Sequence, residues 1–305
     1  MALSFLDEDN MKSALVEARK INSKLNEINQ QYEDSKNRYA EDAFARYLAG
    51  MIHESQGNTD AAIIDYTKSL ESYQGIYSKE GFSSGVPDGL IIGLYRLLKQ
   101  RDRTNRMSAL KKEYPKVIKK VETEPAGHGD LVVVHEVGQI AVKSTAEFFP
   151  VIGKQVIRFS FPVIKRKSSY YRGSTGVELV SKNGLKRADH VQDMDAIAYA
   201  TLEDRRFRLI AKQTARLLVK GQLTEQAYEN FGILGGLAAN IFSAVTETAD
   251  TRSWTLLPES YYVSRIRLPA GTHKLKIKNS GKLSAIKSVK IKAGGVTILR
   301  DDGKG

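Results

Sequence analysis

The sequence predicts an α+β fold: a helical N-terminal half, then a β-rich half that carries two inserted helices. Three observations lead there. Apolar residues recur at helical spacing up to about Tyr114. From Leu131 the pattern changes to short β-branched runs and to period-two alternation. Helical periodicity returns between Gln192 and about Glu247, and strands resume after Pro258. A helical domain is therefore expected over residues 1–121 and a β domain over 122–305, with the inserted helices at about 192–247.

Composition sets the limits. A chain of 305 residues can bury a sizeable core. Hydrophobic residues make up 41% and charged ones 27%, ordinary values for a soluble globular protein. The net charge of +12, with a pI near 9.5, favours anionic partners: nucleic acid, anionic lipid, lipopolysaccharide or an acidic protein. The absence of cysteine excludes disulfides, thiolate metal sites and cysteine nucleophiles. No run reaches the roughly 20 apolar residues of a spanning helix. The longest, Gly232 to Val245, is broken by Asn240 and Ser243.

In the helical half, Ala2, Leu3 and Leu6 precede an Asp9-Asn10 turn, and Met11, Ala14, Leu15 and Ala18 follow at helical spacing. The first helix of this hairpin is almost absent, so a longer natural chain or a second subunit is expected to cover its face. Residues 22–57 continue as a polar helix or helix pair. Gly50 and Ala62 are small where two helices must approach closely, Gly57 lies in the turn, and Tyr66 and Leu70 continue the apolar face. With Ala43-Phe44-Ala45-Arg46-Tyr47-Leu48-Ala49-Gly50, this segment resembles a tetratricopeptide repeat. It departs from the pattern at Ser69, where alanine is usual, and lacks the terminal proline. Arg46, Tyr47 and Tyr66 are expected on the partner-binding face of such a repeat or in its packing. Gly75 to Gly89 reads as a loop, Asp88 is placed to cap a helix over Leu90 to Lys99, and a last helix near Arg103 ends at Pro115. The lysines at 111, 112, 116, 119 and 120 read as a solvated face.

Glu122 to Asp130 is the expected linker. Leu131 to Val134 is a buried strand, Gly138 a turn, and Ile140 to Val142 a second strand. Val156 to Ile164 alternates, and Pro162 within it suggests an edge strand or a bulge. Val177 to Val180 and an Asn183-Gly184 turn follow. Across the inserted helices, the Gly232 to Ala239 run reads as close helix packing rather than membrane contact. After Pro258, Tyr262, Ile266 and Leu268 share a face. Pro269-Ala270-Gly271-Thr272 reads as a turn, and His273 to Lys278 as the answering strand. Ile286, Val289 and Ile291 form a further strand, and Val296 to Leu299 the last.

The five histidines are scattered without metal-ligand spacing, and no nucleophile elbow, P-loop or dinucleotide fingerprint is present. No cofactor or metal and no enzymatic activity are expected. Asp189, Asp193 and Asp195 suit a helix start. The helix-to-strand corner from Thr246 to Leu268 holds the only tryptophan. Glu247, Asp250, Arg252 and Trp254 read as a structural junction, with Trp254 plugging the core and Arg252 paired locally. A hydrolase acting through Asp250 or Glu247 is the minor alternative. Lys274, Lys276, Lys278, Lys290 and Lys292 belong to a lysine series with no acid until Asp301. They either guard strand edges against aggregation or contact an anionic surface. The stripe lacks the stacking aromatics of a nucleic-acid reader, so no nucleic acid is expected.

Four segments together resemble a family of uncharacterised bacterial envelope lipoproteins with tetratricopeptide-like helices. They are Ala14-Leu15-Val16-Glu17-Ala18-Arg19, Ala43 to Gly50, Thr248-Ala249-Asp250-Thr251-Arg252-Ser253-Trp254 and Leu268-Pro269-Ala270-Gly271-Thr272-His273. The late strands resemble a small PEGA-like β-sandwich. The resemblance implies a lipoprotein signal and lipidated cysteine before Met1, and a position at the periplasmic side of the outer membrane. It implies a non-enzymatic scaffold that binds other envelope proteins, or copies of itself, through its helices. The alternative is a binding module for an anionic envelope polymer or lipid.

Overall fold

The computed structural model describes residues 2–8, 10–31, 37–148, 151–152, 155–156, 159–164, 174–181, 184–205 and 251–303. The described residues are mixed helix and sheet, in line with the expected α+β class. They fall into two compact units. The first comprises Met1–Ile140, Ser169–Ala196 and Pro258–Gly305, and the second Ala141–Ser168 and Ile197–Leu257.

In the first unit the chain opens with α1 (Ala2–Asp7) and α2 (Met11–Gln30), then α3 (Ala43–Ser55) and α4 (Thr59–Ser72). Asp42 starts α3 because its carboxylate accepts the Ala45 N–H at 2.8 Å, satisfying an otherwise orphaned donor. Gly57 ends the turn at φ 75°, a left-handed conformation that costs a side chain dearly. The α3–α4 contact depends on Gly50: a Cβ there would meet the Tyr66 ring at 2.3 Å. Of the expected Gly75 to Gly89 loop, residues 81–86 are turn and bend, but Gly75 to Glu80 are helical, through a π-turn (Tyr73–Tyr77) and α5 (Ser78–Glu80), with Tyr73 and Tyr77 fully buried. These rings and Phe82 have a core to fill, which overrides the glycine.

The chain then forms α6 (Asp88–Gln100), α7 (Thr104–Glu113) and α8 (Pro115–Glu122). Pro115 opens α8 as its first residue, where a missing N–H is harmless. Helix α8 buries Val117, Ile118 and Val121, and its lysines stay exposed. Asp88 lies inside α6 rather than capping it. The cap comes from the Asp189 carboxylate, which accepts the Gly89 N–H at 3.2 Å.

Two sheets complete this unit. The first has the order β13-β1-β9-β8: β1 (His128–Val137) pairs parallel with β13 (Val296–Asp301) and antiparallel with β9 (Ser260–Pro269), which also pairs with β8 (Asp189–Asp193). The second has β10 (Gly271–Asn279) at its centre, flanked by β6 (Gly176–Leu179), β11 (Lys282–Leu283) and β12 (Lys287–Ile291), with β7 (Leu185–Arg187) beyond β6. Odd-numbered β1 residues face the second sheet, where Leu131, Val133, Ile266, Leu268, Leu275, Ile277, Val289 and Ile291 share one core. The even-numbered face of β1 meets the helices, where Phe44 stacks on Tyr261 with ring centroids 5.0 Å apart. The first sheet is thus the middle of three layers.

This arrangement corrects one expectation. β9 and β10 do not form a hairpin. β9 already has β1 along one edge and β8 along part of the other, so the chain crosses at Ala270 to the second sheet. The buried faces of β9 and β10 stack instead of pairing edge to edge.

In the second unit, β2 (Lys143–Phe148) pairs antiparallel with β5 (Phe159–Ile164), and β3 (Val151–Ile152) with β4 (Gln155–Val156). Ile140 to Val142 is not strand; pairing begins at Lys143. Pro162 lies opposite Thr145 in the two-stranded ladder. Ala141, Ile164 and Leu202 form a small core. Residues 197–205 of this unit are helical and continue a helix that starts in the first unit at Asp193, whose carboxylate accepts the Ala196 N–H at 2.8 Å. The remainder of the expected inserted helices, including the Gly232 to Ala239 run, lies outside the described residues.

Candidate functional site

The strongest concentration of chemistry lies where β9 meets the helical layer. Arg265 points from the middle of β9 toward α3 and α6, and only 2% of its side chain is exposed. It reaches Glu54 through two nitrogens, Nη2 to Oε1 at 2.6 Å and Nη1 to Oε2 at 2.9 Å. Its Nε donates to Asp130 Oδ2 at 2.6 Å. Asp130 also accepts from Arg96, and from Arg267 at 3.0 Å, and Arg96 continues to Glu124. The Tyr66 hydroxyl donates to Glu54 at 2.5 Å. Three arginines thus meet three carboxylates.

Sequence explains how Arg265 gets in. Gly89 and Gly93 sit one helical turn apart on α6, and a Cβ on Gly93 would lie 2.5 Å from Arg265 Nη1. Burial would raise the Asp130 carboxyl, but Arg265 and Arg96 beside it hold it below the usual range. Burial would lower the Arg265 guanidinium, but Glu54 and Asp130 push it well above its ordinary value. With its charges matched and its hydrogen bonds made, the network is a lock between layers.

A second buried group surrounds Asp42. Its carboxylate takes the Tyr39 hydroxyl at 2.6 Å, besides the Ala45 N–H, with Tyr77 and Gln192 each at 3.4 Å. Burial raises this carboxyl, and those hydrogen bonds oppose the rise. Asn22 braces the Asp42 backbone from α2, donating at 3.1 Å and accepting at 2.7 Å.

The third group has the outline of a hydrolase triad. His135 Nδ1 faces Asp301 Oδ2 at 3.0 Å, and its Nε2 faces Ser264 Oγ at 2.9 Å. Asn279 of β10 donates to the same Asp301 oxygen at 2.8 Å. Burial would raise the Asp301 carboxyl, yet the His135 and Asn279 hydrogen bonds keep it lowered. Its location decides its role. Ser264 is 2% exposed and His135 wholly buried, both on paired strands between the two sheets. No acyl carbon can approach Ser264 there, so the group acts as a clasp joining β1, β9, β13 and β10.

The residues singled out in the sequence distribute as follows. Tyr47 and Tyr66 are fully buried and serve packing, so neither presents a partner-binding face. The Tyr47 hydroxyl has no hydrogen-bond partner among the described residues. Arg46 is mostly buried, bridging Glu41 at 3.1 Å and Asp65 at 3.2 Å. Trp254 does not plug a core: it is 66% exposed, and Leu256 is 87% exposed. Residues 251–259 are turn and coil, with no helix to direct the ring inward. The carbonyl of Arg252 accepts from Lys143 Nζ at 3.1 Å, and Ser253 Oγ accepts the Lys143 N–H at 3.0 Å. Glu247 and Asp250 lie outside the described residues. Lys274, Lys276 and Lys278 alternate with buried Leu275 and Ile277, so all three leave the core; Lys290 and Lys292 are exposed on and just after β12. β10 is a central strand, so its lysines do not guard an edge. Glu54, Asp130, Arg265 and the His135 group carried no local signal in the sequence.

No protein-family model, curated protein or solved structure matches this chain.

Proposed function

We propose that the protein is a non-enzymatic scaffold of a bacterial envelope assembly. In this reading α3 and α4 are a tetratricopeptide-like hairpin, the two sheets are a PEGA-like sandwich, and the natural protein is a lipoprotein facing the periplasm. Partners are other envelope proteins or further copies of the chain. The observation that carries the reading is the Arg265 lock, because a buried bidentate pair fixes the helical layer on the sheet and lets it present a partner in a set orientation. The partner surface lies on the outer side of the helices, since Tyr47 and Tyr66 are consumed inside. Val16 on α2 and Ile64 on α4 are half-exposed there.

The test is affinity capture of the tagged protein from bacterial membranes, followed by mass spectrometry. The scaffold reading expects a reproducible set of envelope proteins, lost on Ile64→Glu or Val16→Glu while the fold is retained. A partner-free monomer, or a set indifferent to both substitutions, refutes it.

A further inference from the structure

The outer face of the second sheet has a composition set by register. β10 buries Leu275 and Ile277, so Lys274, Lys276 and Lys278 project away from the core. Directly opposed residues of antiparallel strands share a face. On β12, Lys290 lies opposite Thr272, and Ser288 opposite Lys274. On β6, Glu178 lies opposite Lys276, and Gly176 opposite Lys278. Arg187 of β7 lies opposite Gly176, and Leu283 of β11 opposite Lys278. The Val180 N–H donates to the Lys274 carbonyl at 3.0 Å, extending the ladder by a pair and setting Val180 beside Lys274. Among the described residues, one face therefore gathers Lys274, Lys276, Lys278, Lys290 and Arg187 against a single acid, Glu178, and adds Val180 and Leu283, which are 51% and 47% exposed.

We propose that this face docks on a bilayer surface containing anionic phospholipid. The cations spread over three strands, β12, β10 and β7, in two dimensions, which suits a plane of headgroups better than the line of a single polyanion chain. Neighbouring strands stand about 4.8 Å apart and alternate residues about 7 Å apart along a strand, spacings on the scale of lipid headgroups. Lysine stems lie along apolar surface while their ammonium heads reach phosphates. Val180 and Leu283 supply apolar contact among them, a combination of use at the headgroup boundary and of little use to a wholly polar polymer. No aromatic ring stands on this face among the described residues, so stacking of nucleic-acid bases has no platform. The inference is independent of the helical partner surface above.

The test is co-sedimentation of the full chain with vesicles of phosphatidylcholine, with and without phosphatidylglycerol, at low and at physiological ionic strength. Binding is expected only with phosphatidylglycerol, and weaker at the higher salt. Each lysine near such a surface contributes roughly fivefold in affinity, so the triple variant Lys274→Gln, Lys276→Gln, Lys278→Gln should bind about 100-fold more weakly. These side chains are on the surface, and an unchanged far-UV circular dichroism spectrum verifies the fold. The double variant Val180→Ser, Leu283→Ser keeps every charge and should lose vesicle affinity while binding heparin as before. Three outcomes overturn the proposal: no preference for phosphatidylglycerol, full binding by the lysine triple variant, or vesicle binding by the serine variant equal to that of the parent protein. The last would mark a site for soluble polyanions.

Discussion

Replacing Arg265 with methionine should destabilise the first unit by about 3–5 kcal/mol, the usual cost of removing one partner from a buried ion pair. The contacts show where that cost arises. Asp130 would keep Arg96 and Arg267, so its charge stays compensated. Among the described residues Glu54 would keep only the Tyr66 hydroxyl and would become a buried carboxylate without a cation. Methionine fills the space against Gly89 and Gly93 without offering a donor. The expected remedy is Glu54→Gln, which removes the stranded charge: the double variant should be more stable than Arg265→Met alone by at least about 1 kcal/mol. Urea unfolding followed by far-UV circular dichroism measures this, since helices α1 to α8 all lie in the first unit. A loss below about 1 kcal/mol, or strictly additive single effects, would show that the network does not hold the layers together.

Asp189 offers a pH test of the α6 cap. Burial raises its carboxyl to about 6, above the ordinary value near 4, so the native state binds more protons than the unfolded state between those limits. Stability should therefore fall as pH rises from about 4 to 6, by at most about 3 kcal/mol, and Asp189→Asn should flatten that decline in unfolding curves taken across the range. Tyr47→Phe removes a buried hydroxyl that lacks a partner and should be neutral or stabilising by about 1 kcal/mol in urea melts. Ser264→Ala should fold with a loss of about 1 kcal/mol, and esterase or amidase assays should not separate it from the parent protein. Trp254 should emit as a solvated indole and be quenched readily by acrylamide; a shielded ring would contradict the exposed position.

Local features were the legible ones. Gly50, Gly57 and Ala62 marked the α3–α4 hairpin because close approach and a left-handed turn each demand a small residue at a set spacing. The alternation of lysine with Leu275 and Ile277 revealed the outer face of β10 for the same reason. Features made by tertiary pairing were not legible. Glu54, Asp130 and Arg265 are scattered through three elements, and nothing near any of them announces the other two. Arg187, Val180 and Leu283 join the lysine face only through the registers of β6, β7 and β11 on β10. The Pro269 to Thr272 turn read as a hairpin because local chemistry cannot show that both edges of β9 are taken. Trp254 read as a core plug because size and apolarity suggest burial, whereas residues 251–259 are turn and coil and leave the ring exposed.

The parallel pairing of β1 with β13 has a consequence for synthesis. Asp130 lies opposite Val296, so β1 waits for a strand made some 166 residues later. At about 5–20 residues per second that interval lasts roughly 8–30 s. Through it, the Leu131-Val132-Val133-Val134 stretch has no neighbour on that side, an open edge of the sort that recruits other chains. The nascent chain should therefore call on a holding chaperone during those seconds, and a chain stopped just ahead of Val296 should go to aggregates rather than fold.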